Sequence, residues 1–261
     1  MPRILTYNVR YCLGIDRQIS PKRIAEVIAA CEPDVVALQE LDVNHARTGG
    51  VDQPRAIADE LCMHLHFYPA IREKEQSYGD AILTAHPCTL VKAGLLPTRA
   101  WPAFVEPRGA LWVSVNVGGT EIQVINTHLG LPGSDRLGQI DMLLGPDWLG
   151  HPACREPVII AGDFNTVPRS RVYQRLAAHL RDAQTLLGTS RQQRTFPSRA
   201  PLLRLDHVFV SRSIEVLKAQ AIRTPLARIA SDHLPLLVDF RVIASEQCAK
   251  ESSDALLVED R

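Results

Sequence analysis

The chain has 261 residues, 46% of them hydrophobic and 22% charged, with 29 basic side chains against 29 acidic. This length suits one large domain or two small ones, and the composition is that of a globular protein. A net charge of zero argues against a dedicated binder of long nucleic acid, and no run approaches the ~20 apolar residues of a membrane span.

The opening MPRILTYNV enters a strand at once, over residues 4–9, and lacks the apolar core of a secretion signal, so a cytoplasmic location is expected. Ser20-Pro21 forms a cap and first-turn pair for a helix over residues 21–31. A strand at 35–39, a helix at 53–63 and a strand at 81–84 follow. Alternating strands at 110–117 and 122–127 flank the glycines of VNVGGTEIQV, which suit a hairpin turn. Beyond them come a helix at 134–149, a strand at 158–162, a helix at 170–180 and strands at 207–210, 216–221 and 236–240. This mix of crossover and hairpin connections predicts an α/β sandwich of two mixed sheets flanked by helices. With no repeat and no interior linker, residues 1–243 read as one domain. The polar tail at 244–261, SEQCAKESSDALLVEDR after Ala244, is expected to be disordered. The six cysteines are scattered without a C-x-x-C pair, so reduced, mostly buried thiols are expected.

Several of these elements end in acid, amide or imidazole groups: Asn8, Glu40, Asn126 with His128, Asp163 with Asn165, Asp206 with His207, and Asp232 with His233. Each alone has an ordinary explanation; in VIIAGDFNTVP, for example, Asp and Asn favour a turn. Together they matter, because strands of a sandwich that meet at one rim converge their ends. Residues i and i+2 of a strand share a face, which would bring Asp163 and Asn165 into one pocket. Hard oxygen donors without cysteine suit magnesium or manganese, with Glu40 as the foremost ligand candidate and Asn8 beside it. An Asp206–His233 pair would favour a charged imidazole able to donate to phosphate.

The runs TYNV, LQE, YGDAIL, NTHL, GDFN, DHVFVS and SDHLP, in that order, resemble the endonuclease/exonuclease/phosphatase superfamily over residues 6–235. The superfamily includes pancreatic-type DNases, abasic-site endonucleases, neutral sphingomyelinases and inositol-phosphate phosphatases. The resemblance implies a four-layered α/β sandwich with its active site at one rim, and one-step hydrolysis of a phosphoester. It implies that Asn8 and Glu40 hold magnesium, that Asp163 orients and deprotonates the attacking water, and that Asn165 positions water and phosphate. His128 and His233 would contact phosphate oxygens, with Asp206 orienting His233, and Asp232 would be a second metal ligand or a support for the pocket. Three positions depart from the family pattern: Arg10 stands where abasic-site endonucleases carry an acid, the opening is YN rather than WN, and Asp80 replaces a frequent Asn.

For the substrate, Arg108, Arg136 and Arg199 lie close to motif elements and are candidates for recognising anionic groups. Phe196, in a loop at 187–205, is expected to border the pocket. The leading expectation is a Mg²⁺- or Mn²⁺-dependent phosphodiesterase acting on a small or lipid-linked phosphodiester. A DNA nuclease is the first alternative, followed by a phosphomonoesterase and a retired binding module. No protein partner is legible.

Overall fold

The computed structural model describes residues 1–98, 106–188 and 192–243. The tail at 244–261 and residues 189–191 of the predicted loop lie outside the described residues.

The chain begins with β1 (Arg3–Asn8), α1 (Pro21–Ala29), β2 (Val35–Val43) and α2 (Gln53–Leu61). Ser20 Oγ accepts from Arg23 N (3.1 Å) and Asp52 Oδ1 from Arg55 N (3.0 Å), so both helices start on side-chain caps. Next come β3 (His64–Glu73), β4 (Gln76–Thr84), β5 (Cys88–Leu95), β6 (Gly109–Val117), β7 (Thr120–His128), α3 (Gly133–Leu144) and β8 (Val158–Asp163). The chain continues through α4 (Arg171–Ala177), β9 (Arg181–Asp182), β10 (Asp206–Val210), β11 (Ile214–Ala221), α5 (Pro225–Ala230) and β12 (Leu236–Val242). The strands form two six-stranded sheets, ordered β11-β12-β1-β2-β4-β3 and β5-β6-β7-β8-β10-β9. Each sheet has one parallel pair at its centre, β1–β2 or β7–β8, with antiparallel strands outside it. The helices α1 and α3 are the crossovers that parallel pairing requires.

Strand alternation sorts the apolar residues into three layers. Ile4, Val35 and Ile82 of one sheet meet Leu111, Val124, Ile159 and Val208 of the other in the central core. Leu5, Val36 and Leu38 point outwards onto Ile24, Ile28 and Ile57 of the helices. Trp112, Ile125 and Ile160 point the opposite way onto Ile140, Leu143 and Leu176. The result is the four-layered α/β sandwich, helices outside and mixed sheets inside. Among the described residues, no helix is long and apolar enough to cross a membrane. The five described cysteines are free; Cys12 and Cys31 are buried, while Cys62 is exposed.

The predicted hairpin forms between β6 and β7, where Val117 faces Thr120 and both intervening glycines take left-handed angles (φ 59° and 86°). The predicted helix at 134–149 stops early, at Leu144, because Gly145-Pro146 cannot extend it. Three strands and a helix escape the sequence pattern: β3, β5, β9 and α5. The three strands all lie at sheet edges, where burial is partial and alternation weak, and β3 carries Pro69, a residue that edges tolerate. With six residues, α5 is too short to show a helical period.

Deep in the central layer one polar residue joins the sheets. Asn126 of β7 donates through Nδ2 to the carbonyls of Leu38 and Ala81, both at 2.8 Å, and its Oδ1 accepts from Gln39 Nε2 at 2.7 Å. Asn126 is fully buried, so it belongs to the core rather than to the rim. Asn126→Ala strands two buried carbonyls, each costing about 1–3 kcal/mol. Urea denaturation of this variant is expected to show a loss of about 2–4 kcal/mol; a loss under about 0.5 kcal/mol would refute the bridging role.

Candidate active site

The same alternation that packs the core delivers the polar residues to one rim. Ile4 faces inwards on β1, so Asn8 does too; Ile159 and Ala161 carry Asp163, and Val124 carries His128. Register then aligns the ends: Asp163 pairs with His128 on one side and with Asp206 on the other. Gly162 permits this close approach. Its φ is 151°, and a Cβ there would lie 1.8 Å from the Thr127 carbonyl oxygen. Glu40 arrives by another route. Gln39 and Glu40 together face Asp80 across a bulge in β2–β4, and Glu40 takes φ 61°, which turns its side chain to the rim. Its backbone N–H donates to Asp80 Oδ1 at 3.3 Å.

Asn8 links the two sheets at the rim, donating through Nδ2 to Glu40 Oε1 (2.8 Å) and Asp163 Oδ2 (3.0 Å). Its Oδ1 accepts from Arg10 N at 3.0 Å. Asp163 Oδ1 accepts from Asn165 N (2.9 Å), closing the tight turn that the Asp-x-Asn sequence favours. That turn places Asn165, at φ 47°, against His128, whose Nε2 is 3.0 Å from Asn165 Nδ2. Because Nδ2 also donates to Leu129 O (2.8 Å), the amide orientation is set and His128 Nε2 acts as an acceptor. The expected contact of His128 with phosphate therefore differs from this arrangement, in which a neutral His128 holds Asn165. Both amide hydrogens are committed, and Asn165 offers its Oδ1.

Burial, with Arg108 and His233 adding positive charge nearby, holds His128 well below the usual histidine range. His233 goes the other way. Burial opposes its charge, but Asp206 and Asp163 outweigh burial and lift the imidazole to about 10. Its Nδ1 lies 2.9 Å from Asp206 Oδ2, and its Nε2 lies 3.6 Å from Asp163 Oδ2. His128 Nε2 approaches the same Asp163 oxygen at 3.6 Å. Burial also raises Glu40 and Asp163, and it pushes Asp80 up to about 7 despite Arg108.

A cavity of about 450 Å³ opens over these groups. Glu40, His128, Asp163, Asn165 and His233 line it, as do Arg108 and Phe196, whose ring centroid is 4.8 Å from that of His233. Asn8 and Asp206 sit beneath these residues. Asp232 does not line the cavity; one of its carboxylate oxygens lies 3.5 Å from Arg10 Nε. Arg136 also lies off the cavity. It donates to the carbonyls of Gly130 and Leu131 and so braces the turn whose Leu131 does line it. Arg199 is exposed and lines no part of the cavity. His207 points to the outer face, packing beside Phe164 and Tyr173.

Sequence reasoning missed Tyr11, Arg47, Tyr78, Glu106 and Leu205, which also line the wall; Glu106 is ion-paired with Arg108 at 3.0 Å. Tyr78 had a signal, since it lies in YGDAIL. Arg47 had none. It is clamped by two hydrogen bonds to Asp42 (2.8 and 2.7 Å) and stacked 4.4 Å from the Tyr11 ring centroid.

The sequence profile of the Endonuclease/Exonuclease/phosphatase family matches residues 5–233. The uncharacterized protein YbhP of Escherichia coli K12 is 26% identical over 257 residues, spanning 92% of this chain and 96% of that protein. Among solved structures, an endonuclease/exonuclease/phosphatase from Beutenbergia cavernae superposes with a TM-score of 0.70 at 24% identity, covering 94% of this chain and 72% of that one. The mannosyl-6-phosphatase Bt3783 of Bacteroides thetaiotaomicron gives 0.73 at 20% identity, covering 92% and 100%. At these identities the structural likeness is one of fold.

If Asp206 holds the charge on His233, Asp206→Asn lowers the titration of His233 in metal-free protein by about 1–3 pH units. Proton NMR of the imidazole reads this directly, and an unchanged titration near 10 would remove Asp206 from that role.

Proposed function

This chain belongs to the endonuclease/exonuclease/phosphatase family of phosphoester hydrolases, and we propose that its rim cavity hydrolyses a small phosphodiester with the help of a divalent cation. The observation that carries this reading is Asp163: a buried carboxylate facing the cavity, with Asn8 on one side and a cationic imidazole 3.6 Å away.

The donor set fits a hard cation. Glu40 and Asp163 are each raised by burial, and each raises Glu40 or Asp80 further, so added positive charge among them would be stabilising. Glu40 would hold the ion, joined by Asn8 once its amide turns to bring Oδ1, which here accepts from Arg10 N, to the side where Nδ2 faces Glu40; such oxygen donors suit Mg²⁺ or Mn²⁺. Asp163, Asp206 and His233 also bring ligand-capable atoms within 4.8 Å of one another. A protonated imidazole has no lone pair to give, so we read this trio as a hydrogen-bonded unit instead. Asp232, already facing Arg10, is read as a support for the pocket rather than as a ligand. When bound, the cation supplies polarisation of a phosphoryl oxygen and neutralisation of the leaving oxygen.

In this reading Asp163 takes the proton of the attacking water, a task suited to a carboxylate made more basic by burial. Asn165 Oδ1 orients that water, and neutral His128 keeps the Asn165 amide in place. His233 donates from Nε2 to a phosphoryl oxygen as charge develops there, while its Nδ1–H stays on Asp206. Arg108, lining the same cavity, adds a second positive group. Support for this reading comes from the closeness of the groups: His233 Nε2 lies 3.6 Å from Asp163 Oδ2, and Asn165 N donates to Asp163 Oδ1 at 2.9 Å.

The cavity's size supports a small molecule or a lipid headgroup, since pockets enclosing such ligands measure about 300–1,000 Å³. A phosphomonoester is the second reading. His233 and the arginines Arg108 and Arg47, paired with Glu106 and Asp42 respectively, are the positive groups of the cavity that a dianion would meet, and one protein of similar fold is a mannosyl-6-phosphatase.

Chelator is expected to abolish hydrolysis of bis-p-nitrophenyl phosphate, and magnesium or manganese to restore it; full activity in chelator would sink the metal assignment. p-Nitrophenyl phosphate assayed alongside separates diester from monoester preference. Asp163→Asn is expected to lower kcat by at least about 10²-fold with an unchanged circular dichroism spectrum, whereas near-wild-type turnover would remove Asp163 as the base.

A further inference from the structure

Phe196 and Leu205 face the catalytic cavity, but the chain between and just before them also lines a second cavity, of about 940 Å³. Phe196 N donates to Leu203 O (3.1 Å) and Leu203 N to Phe196 O (2.7 Å), so the two arms of this segment are tied together. The segment is therefore a wall shared by both cavities.

The second cavity is lined by four arginines, Arg169, Arg194, Arg204 and Arg223, with no acid among its described lining residues. Arg169, Arg194 and Arg223 are exposed, and none forms an ion pair with a described residue. Arg204 is different: it is 3% exposed and ion-paired through Nη2 with Asp182. Asp182 is already occupied, since it also accepts from Tyr173 OH (2.8 Å) and Gln184 N (2.9 Å). Meanwhile Arg204 Nε and Nη1 are buried without a hydrogen-bond partner. Buried guanidinium N–H groups are rarely left without an acceptor. Three exposed guanidiniums without an ion-pair partner, beside a buried fourth whose charge is shared with Asp182, line one cavity of a protein of zero net charge and offer the charge-assisted donors that phosphate accepts from.

We propose that this second cavity is a phosphate-binding site that takes a phosphate group other than the one hydrolysed. Binding there stands on the arginines alone; that the phosphate is distinct from a hydrolysed one rests on the catalytic reading above. The group would be either a further phosphate of the substrate, reaching over the Phe196–Leu203 wall, or free phosphate.

Calorimetry with inorganic phosphate and pyrophosphate, on the full chain with and without magnesium, tests the site. Arg194→Ala/Arg223→Ala is expected to weaken binding by at least about tenfold, as for the loss of two charge-assisted contacts. The control Arg72→Ala/Arg212→Ala removes the same charge from exposed positions that line neither cavity, and is expected to bind as wild type. Turnover of bis-p-nitrophenyl phosphate, which has no second phosphate, should be unchanged in both variants. A KM that rises only in the first variant for a dinucleotide with a terminal phosphate assigns the site to the substrate; unchanged KM with weakened pyrophosphate binding assigns it to free phosphate. No binding by wild type, or equal weakening by the control, overturns the proposal. Absence of all hydrolysis in wild type would instead overturn the catalytic reading and leave the binding result standing.

Discussion

Two sheets can press their apolar faces together only where each polar side chain caught between them finds a partner. In this protein that constraint organises everything from the centre of the sandwich to its rim. Asn126 and Gln39 meet it in the interior, where the amide of one sheet satisfies carbonyls of the other. Asn8 meets it one layer higher by dividing its amide hydrogens between Glu40 and Asp163. At the rim, Asp206 and His233 pair as ions and Asn165 turns back onto His128. The groups assigned to catalysis are thus the upper end of a polar seam that begins as a packing solution.

The seam is unevenly charged. Glu40, Asp80 and Asp163 are all raised by burial, while Arg108 and His233 are the main positive groups acting on them. A rim of this kind is under electrostatic tension before any ligand arrives. Glu40 adds backbone tension, because a non-glycine residue at φ 61° occupies a sparsely populated region. Both costs are borne at the cavity, which is where a protein can exchange stability for reactivity.

Most of the fold was legible because central strands bury both faces and so print unbroken apolar runs such as VVAL and VIIAG. The edge strands β3 and β5 are only partly buried and print no such run, whereas the edge strand β11 was still legible over 216–221. The candidate site was legible where a side chain simply continued the inward face of its strand, as Asn8, Asp163 and His128 do. Glu40 was identified as a strand-end group, but its delivery by a bulge could not be read from alternation. Asp163 and Asn165 met through a turn as well as a shared pocket, so the local and the functional explanations of GDFN describe one geometry. The arginines were legible only as a set: Arg108, Arg136 and Arg199 all sit near motifs, and only tertiary packing decides which one the wall admits. Arg47 reaches the cavity through the buried Asp42, a partner that no short motif names.

Along the chain the seam is as long-range as it can be. Ser231 Oγ donates to Asn8 O across 223 residues, β1 lies between β2 and β12, and Asp163 is flanked by β7 and β10. During synthesis the edge of β1 that pairs with β12 therefore stays unpaired until β12 leaves the ribosome. The hydrolase proposed for this rim would be silent on every nascent chain that lacks residues 206–242, and would assemble its base, its donor and its cavity in a single late step.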